Sequence, residues 1–223
     1  AARLADRLEL IRRDFDLCLD LGAHDGRLAQ HFAQHFAQDS VGSGEIGHMI
    51  QSDPAVGFAL AAAGHGSGHR SGRGSGRGSG IVHALDQLPY KADSFDAVFS
   101  CLSLHWVDDL PGLMMQVRRL LKPDGLLLMS LFGGNSLIEL RQVLAEAEQD
   151  ITGGLSPRCA PMADIRDIGG LLGRAGLALP VADSDRMTVR YPHMFKLMAD
   201  LRGMGEQNAM LARLKTPTRR DVF

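Results

Sequence analysis

Buried strands and amphipathic helices alternate along the first 134 residues, and this order limits the fold more than any other feature of the sequence. Apolar runs that end in turn residues predict five strands, at residues 15–21, 45–52, 81–84, 94–103 and 126–134. Helical patterns predict helices at the start of the chain, at 25–38, behind Asp53-Pro54, and at 109–121 before Pro123 and Gly125. This alternation predicts an α/β fold with a mostly parallel sheet, helices on both faces and right-handed crossovers.

The chain after residue 134 gives fewer predictions. The stretch DIGGLLGRAGLALPVADSDRMTVRY (167–191) predicts a helix and then a long strand or strand pair, and residues 192–214 predict a further helix. Four apolar residues of that last helix recur at helical spacing: Met194, Leu197, Met198 and Leu201. Their spacing predicts packing in a core or a lid over a substrate.

Length and charge exclude several classes of protein. The 223 residues fit a single domain over 1–223, and a formal net charge of −2 gives no global field that would attract nucleic acid or an anionic membrane. No apolar run approaches the roughly 18–20 residues of a membrane-spanning helix, and the charged start predicts no signal peptide. Three separated cysteines, Cys18, Cys101 and Cys159, predict a reducing compartment and neither disulfides nor a zinc site.

Residues 64–80 contain only Gly, Ser, Arg and His, so they cannot form a core. They predict a flexible surface insertion between the Ala-rich helix and the third strand. Contact of its arginines and histidines with RNA or phosphate is the alternative interpretation.

The turn LDLGAHDG (19–26) follows the first strand and indicates a ligand. In a dinucleotide-binding turn, a middle glycine lets the backbone approach a pyrophosphate. Here Gly22 and Gly26 enclose His24, which blocks that approach, and two aspartates would repel an anion. No GK[ST] follows, so a phosphate-binding P-loop is excluded as well.

S-adenosylmethionine fits this turn better, because it carries an ammonium, a carboxylate and a ribose. Asp20, at the end of the first strand, is predicted to accept a hydrogen bond from the ammonium. Free backbone amides around residues 23–26, at a helix N-terminus, suit the carboxylate. Asp53, at the end of the second strand, is predicted to accept both ribose hydroxyls. Leu85-Asp86, after the third strand, are predicted to flank the adenine and accept from its amine.

Each of these features has a structural alternative. An aspartate that closes a strand is often only a cap for the next helix, and Pro54 after Asp53 is typical of a helix start. The carboxyl ends of parallel strands meet at one edge of a sheet, however, and ligands bind there. The succession of acidic and glycine residues at those ends therefore favours a shared ligand.

The segment FDAVFSCLSLHWVDDLPGLMMQVRRLLKPDGLLLMSLFGG (95–134) resembles the class I (type 11) methyltransferases, in which FD, LHWV-D and LKPDG recur around the fourth and fifth strands. The motifs NSLIELR, LGRAGL and YPHMFKLMADLRGMGE resemble, more narrowly, the NADH:ubiquinone oxidoreductase (complex I) assembly factor 5 family and its bacterial relatives. The malonyl-carrier-protein O-methyltransferases are a more distant resemblance.

This resemblance implies a Rossmann-like three-layer sandwich that binds S-adenosylmethionine and acts on a protein substrate, such as a subunit of respiratory complex I. The mitochondrial member of the family is described as hydroxylating an arginine instead of methylating it. The implied location is the cytoplasm for a bacterial relative, or the mitochondrial matrix in a eukaryote. The alternatives are a carrier-protein or small-molecule carboxyl O-methyltransferase, an arginine hydroxylase, and a non-catalytic cofactor-binding assembly chaperone.

The resemblance carries the family's sites over to particular residues. The predicted catalytic pair is His105 and Trp106, and the predicted cofactor-binding set is Asp20, Gly22, Ala23, Gly26, Asp53, Pro54, Leu85, Asp86 and Ser103. The sequence departs from the family at two positions. His24 stands in place of the middle glycine, and Ala84 stands in place of an acid whose role is expected to pass to Asp86. The family's last antiparallel strand is expected some forty residues after GMGE, beyond Phe223, so either the sheet lacks this strand or the sequence is incomplete.

His105 is the best-placed general base, because a histidine titrates near neutral pH and this one follows the fourth strand. The alternative is that His105 only caps or packs at the strand end. A metal site is not predicted: His31 and His35 share a helical face but lack the glutamate of HExxH, and no two-histidine, one-carboxylate set is evident.

Overall fold

The computed structural model describes residues 1–38, 45–64, 79–216, 218 and 222. Most of the predicted flexible insertion at 64–80 lies outside the described residues. Five parallel strands form one sheet in the order β3-β2-β1-β4-β5. They are β1 (Phe15–Leu21), β2 (Ile46–Asp53), β3 (Ser79–Val82), β4 (Phe95–Cys101) and β5 (Leu121–Ser130).

Seven α-helices accompany the sheet in the described part of the chain: α1 (Ala2–Glu9), α2 (Arg27–Gln38), α3 (Val56–Ala63), α4 (Leu110–Leu120), α5 (Ile138–Thr152), α6 (Ile165–Arg174) and α7 (Met194–Gly203). A short 3₁₀ helix spans Leu104–Trp106. None of the described helices has the length and apolar character needed to cross a bilayer.

Apolar side chains cover both faces of the sheet, which confirms the predicted three-layer α/β fold. On one face, Phe32 of α2 meets Phe99 of β4 edge-on, with ring centroids 5.1 Å apart. On the other face, Leu19, Val98 and Met114 belong to one buried cluster that joins β1, β4 and α4. Each fully buried large side chain contributes about 1.5–3 kcal/mol of hydrophobic stabilisation.

The strand order places a topological switch beside β1. The chain begins in the middle of the sheet, moves outward through β2 and β3, and then returns to the other side of β1 with β4. Ligands of open α/β sheets bind at such a switch, beyond the carboxyl ends of the strands. The segments that follow β1, β2, β3 and β4 all leave from this edge because the strands are parallel.

The described chain divides into two compact units. Unit 1 comprises residues 1–131 and 169–181, and it contains the whole sheet. Unit 2 comprises residues 132–168 and 182–223. A single domain over 1–223 stays a prediction, because one domain with an added subdomain and two separate domains would both divide in this way.

Unit 2 is organised around a buried ion pair. Glu148 of α5 is only 2% exposed, and its Oε1 lies 2.7 Å from Nη2 of Arg158. Ser156 donates a hydrogen bond to Glu148 through its hydroxyl, at 2.6 Å, and another through its backbone amide, at 3.0 Å. Hydrogen bonds from Arg158 and Ser156 lower the pKa of Glu148 to about 2, against the opposing effect of burial.

The predicted strand or strand pair in 176–191 is wrong, because the structure has no strand in that segment. Its apolar residues, such as Val181 and Met187, are exposed. Alternating apolar residues give a segment β propensity, but a strand exists only where another strand accepts its hydrogen bonds.

One helix prediction needs correction, and one helix was missed. The predicted helix at 192–214 is shorter, because α7 ends at Gly203 and Gly205 takes a left-handed φ of +82°. The four apolar residues at helical spacing in α7 are half-buried and none is fully buried, so core packing and a lid both stay predictions. Helix α5, at Ile138–Thr152, was not predicted.

Strand β5 begins at Leu121, five residues earlier than predicted. Leu121 pairs with Phe95, and the register shifts between Phe95 and Ala97, so that the LKPDG turn forms a bulge within the strand. The carbonyls of the last two residues of α4 accept hydrogen bonds from the amides of Asp93 and Ser94. The neighbouring strand therefore ends the helix before Pro123 and Gly125 can do so.

Candidate functional site

The turn after β1 requires glycine at its two ends. Gly22 has a φ of +73°, and a Cβ there would lie 2.4 Å from the Cβ of Ser103. Gly26 has a φ of +81°, and a Cβ there would lie 2.7 Å from Oε1 of Gln51 and 2.9 Å from the Cα of Ala62. The left-handed backbone and the close neighbours exclude a side chain at both positions.

Four of the five backbone amides of the turn at 22–26 are already engaged, which corrects the prediction that those around residues 23–26 are free. The amides of Gly22 and Ala23 both donate to the carbonyl of Ser52, at 2.9 Å, and the amide of Gly26 donates to the carbonyl of Ala23. The amide of His24 donates to Oδ2 of Asp53, at 2.9 Å. The first amides of α2 are the ones that lack intrahelical acceptors, because an α-helix leaves its first turn of amides open.

Asp53 ends β2 and is held by two backbone amides. Its Oδ2 accepts from His24, and its Oδ1 accepts from Ala55 at 2.8 Å, just before α3. A carboxylate oxygen has two lone pairs, so each of these oxygens can accept one further hydrogen bond. The residue that follows, Pro54, is exposed, and α3 begins two residues later than Pro54 would start it.

Asp20 lies on β1, in register with Gln51 of β2, and is completely buried. Neither oxygen of its carboxyl group has a hydrogen-bond partner in the described part of the chain. Burial raises the pKa of Asp20 to about 7, and the nearby carboxylate of Asp53 adds to that increase. The structure therefore brings Asp20 and Asp53 together at adjacent strand ends, as predicted.

Two buried polar groups at the turn add to the site: Gln51, which the sequence interpretation missed, and His24, which it noted only as a departure from glycine. Gln51 is fully buried, and neither atom of its side-chain amide has a partner among the described residues. The ring of His24 stacks on Phe58 of α3, with centroids 3.7 Å apart, and its Nε2 is likewise buried without a described partner. A glutamine two residues before a strand-ending aspartate, within an apolar run, is the pattern that would have indicated the first of these.

The segment after β4 is hydrogen-bonded to the glycine turn. The hydroxyl of Ser103 donates to the carbonyl of Gly22 at 2.6 Å. The 3₁₀ helix that follows buries Leu104 completely and leaves His105 and Trp106 half-buried, with their ring centroids 5.4 Å apart. Contacts of Ser103, His105 and Trp106 with cofactor or substrate stay predictions.

The segment after β3 lies beside Asp53, because Val82 pairs with that residue. Leu85 packs against the buried cluster around α4, and the carbonyl of Asp86 accepts from Nε2 of Gln116 at 2.7 Å. The side chain of Asp86 is exposed. The predicted adenine contacts of Leu85 and Asp86 therefore stay predictions.

No group of three His, Cys, Asp or Glu residues suited to a metal ion occurs within the described ranges. His31 and His35 stack with ring centroids 5.8 Å apart, and Nε2 of His35 contacts Glu9 of α1. That histidine pair thus joins two helices.

Comparison with known proteins identifies the family. The methyltransferase type 11 profile, described as a methyltransferase domain, matches residues 19–129. The chain is 40% identical over 207 residues to "Arginine-hydroxylase NDUFAF5, mitochondrial" of Mus musculus. The aligned region covers 93% of this chain and 55% of the relative. The chain is also 40% identical over 136 residues to "Malonyl-[acyl-carrier protein] O-methyltransferase" of Xylella fastidiosa. That alignment covers 61% of this chain and 44% of that relative.

The fold comparison agrees. Phosphoethanolamine N-methyltransferase 2 of Haemonchus contortus, solved with S-adenosyl-L-methionine, superposes with a TM-score of 0.55 at 17% identity, over 78% of this chain and 36% of the other. This likeness concerns the fold. The chain spans about half the length of the NDUFAF5 relatives it matches. The domain match and the similarity to these relatives show that the chain belongs to the type 11 methyltransferase-domain family.

Proposed function

We propose that this chain is a methyltransferase-like enzyme that uses S-adenosylmethionine. The observation that carries the proposal is the pair of carboxyl groups at the ends of β1 and β2. Asp53 is fixed by two amides with lone pairs to spare, and Asp20 is buried without a partner. Unsatisfied buried polar atoms are rare in folded proteins, so the carboxyl group of Asp20 needs an explanation, and a ligand that supplies the missing partner is the one proposed here.

These residues fit the polar parts of S-adenosylmethionine. Asp53 binds the ribose hydroxyls through its remaining lone pairs, and Asp20 accepts from the ammonium. The first amides of α2 face the carboxylate. Leu85 and Asp86 lie on the adenine side. The cofactor supplies a methyl group activated by its sulfonium, so the protein's own tasks are to orient the reactants and exclude water.

His105 accepts the proton of the attacking substrate atom in this proposal. It sits on the 3₁₀ helix after β4, at the same edge of the sheet as Asp20, and Trp106 lies beside its ring. An oxygen or nitrogen nucleophile gains from a base that titrates near neutral pH. A role for His105 in packing alone predicts unchanged chemistry in a His105→Gln variant that folds normally.

We further propose a protein substrate in the assembly of respiratory complex I, in the cytoplasm of a bacterium or the mitochondrial matrix. The support is the resemblance of residues 95–210 to the complex I assembly factor 5 family and the similarity to a mitochondrial relative whose name includes arginine hydroxylation. The relative named for malonyl-carrier-protein O-methylation supports a second candidate, a carboxyl O-methyltransferase. A cofactor-binding assembly chaperone is the non-catalytic alternative.

Mass spectrometry of candidate substrates separates these functions. A complex I subunit or a malonyl-carrier protein is incubated with the chain and S-adenosylmethionine. A gain of one methylene group identifies methylation, and a gain of one oxygen atom identifies hydroxylation. Tight cofactor binding without any change in mass supports the chaperone.

Calorimetry with S-adenosylmethionine tests the site itself. We expect Asp53→Asn and Asp20→Asn each to weaken binding at least tenfold, roughly 1.4 kcal/mol. Glu146→Gln, which removes an exposed carboxylate on α5, is the matched control and should bind like the unmodified chain. Unchanged affinity in both aspartate variants would contradict the proposed site.

A further inference from the structure

The carboxyl group of Asp20 differs from the other buried carboxyl groups of the chain that the structure describes. Asp53 accepts hydrogen bonds from two backbone amides, and Glu148 is paired with Arg158. Asp20 is 0% exposed, and both of its oxygens lack a partner in the described ranges. Gln51, its register partner, also has an unsatisfied side-chain amide. No hydrogen-bond donor among the described residues therefore compensates a negative charge at Asp20.

The charged groups around Asp20 do little to stabilise its ionised form. Titratable groups on the surrounding elements include Asp53 on β2, His24 and Asp25 in the turn, Arg27 and His31 on α2, the amino group of Ala1 before α1, Cys101 on β4 and His105 on the 3₁₀ helix. The same elements also carry Asp16 and Cys18 on β1, His48 on β2, His35 on α2 and Asp96 on β4. Asp53 disfavours ionisation of Asp20, and the amino group of Ala1 favours it more weakly. Arg27 is occupied by Asp25, with Nε 2.7 Å from Oδ2.

A buried carboxylate without hydrogen-bond donors is unstable, and such a group remains protonated instead. We propose that Asp20 holds a proton while the site is empty and releases it when a cationic ligand enters. The ligand's positive charge then replaces the proton, which passes to the solvent buffer. This inference rests on the proposed function and adds a regulatory property to it: the site takes up its cofactor in exchange for a proton.

The affinity of the chain for a cationic ligand should therefore rise with pH. Below the pKa of Asp20 the ligand must displace a proton, so affinity falls as the solution becomes more acidic. Above that pKa the carboxylate is already ionised, and the affinity stops changing. The opposite dependence is expected where a ligand's own ammonium loses its proton, at about pH 7.7–8.0. Measurements between about pH 5.5 and 7 keep the ammonium charged and isolate the contribution of Asp20.

Titration calorimetry in buffers of different ionisation enthalpy measures the proton directly. With S-adenosylmethionine, we expect release of close to one proton at about pH 6 and of about half a proton at about pH 7. The dissociation constant for S-adenosylmethionine should fall about fifteenfold between about pH 5.5 and 7. In Asp20→Asn both effects should disappear, while Glu146→Gln should keep them. If Asp20→Asn does not fold, proton release on binding and the pH dependence of the dissociation constant in the unmodified chain still test the proposal.

S-adenosylhomocysteine distinguishes the two possible cations, because it keeps the ammonium and lacks the sulfonium. Proton release with both compounds supports the proposal with the ammonium as partner. Release with S-adenosylmethionine alone supports it with the sulfonium as partner. Binding without proton release, at an affinity that is flat over this pH range, overturns the inference and leaves the proposed function standing. Binding of neither compound overturns the proposed function, and this inference with it.

Discussion

Replacement of Asp20 by asparagine is expected to stabilise the empty chain, and to do so more strongly as the pH rises. Asparagine has nearly the same shape as a protonated aspartic acid but never ionises. The pKa of Asp20 is raised by burial and by Asp53 from its ordinary value of 3.8 to about 7. The folded chain therefore keeps this proton over a range in which the unfolded chain has lost it.

The sign and size of the effect follow from proton linkage. A raised pKa in the folded state means that the stabilisation from Asp20 is complete below about pH 4 and is lost as the pH rises towards 7. The loss is about 1.4 kcal/mol per pH unit, which gives about 4 kcal/mol in total. The advantage of Asp20→Asn in free energy of unfolding should thus grow by about 3 kcal/mol between pH 5 and pH 8.

Urea unfolding at several pH values measures this difference. Trp106, the only tryptophan of the chain, lies in the same compact unit as Asp20 and supplies the fluorescence signal. Asp96→Asn is the matched control of opposite sign. Burial acts to raise the pKa of Asp96, but hydrogen bonds from Lys122, at 2.8 Å, and from the amide of Leu17 lower it overall.

Asp96 therefore stabilises the fold above its ordinary pKa, and this stabilisation is lost as the pH falls. We expect Asp96→Asn to be less stable than the unmodified chain at pH 7, with a deficit that persists down to about pH 4 and shrinks only at lower pH. A stability difference for Asp20→Asn that does not change with pH would refute the reasoning. So would a growing destabilisation of that variant towards pH 8.

Three further substitutions test other parts of the structure. Glu148→Gln should lower the stability of unit 2 by about 3 kcal/mol at pH 7, with the loss disappearing towards pH 2, as measured by hydrogen exchange of α5. Gly22→Ala should lower the free energy of unfolding by about 2 kcal/mol or more, because it adds a clash with Ser103 and backbone strain. Adding Ser103→Gly to that variant should recover the part of the loss due to the clash but not the part due to strain. Equal stability of the single and double variants would contradict this. Phe58→Leu removes the ring stacked on His24 and should cost about 1 kcal/mol in urea unfolding, whereas no change would show that the stack contributes nothing.

The fold was largely predictable because its determinants are local. The apolar run at 15–21 became β1 without any change of boundary, and α4 agrees with its prediction to within one residue at each end. Such runs carry their periodicity within a few residues. The segment 176–191 has an equally local alternating pattern and failed, because strand formation needs a partner that lies elsewhere in the chain.

The candidate site was predictable in its acids and glycines and not in its hydrogen bonds. Asp20, Gly22, Gly26 and Asp53 could be selected because strand ends and turn glycines are visible in the sequence. The engagement of the turn amides was not visible, because the amide of His24 finds its acceptor on Asp53, 29 residues away.

The sequence by itself determined the alternation of strands and helices, the glycine turn and the position of one acid at the end of each of the first two strands. These features depend on residue type and on spacing along a short stretch of chain. Only the tertiary structure decided that one acid would be fixed by backbone amides and the other left buried without a donor. The reason is that the solvation and charge environment of a side chain is set by segments that meet in space, and the pairing of β1 with β2 is what brings those segments together.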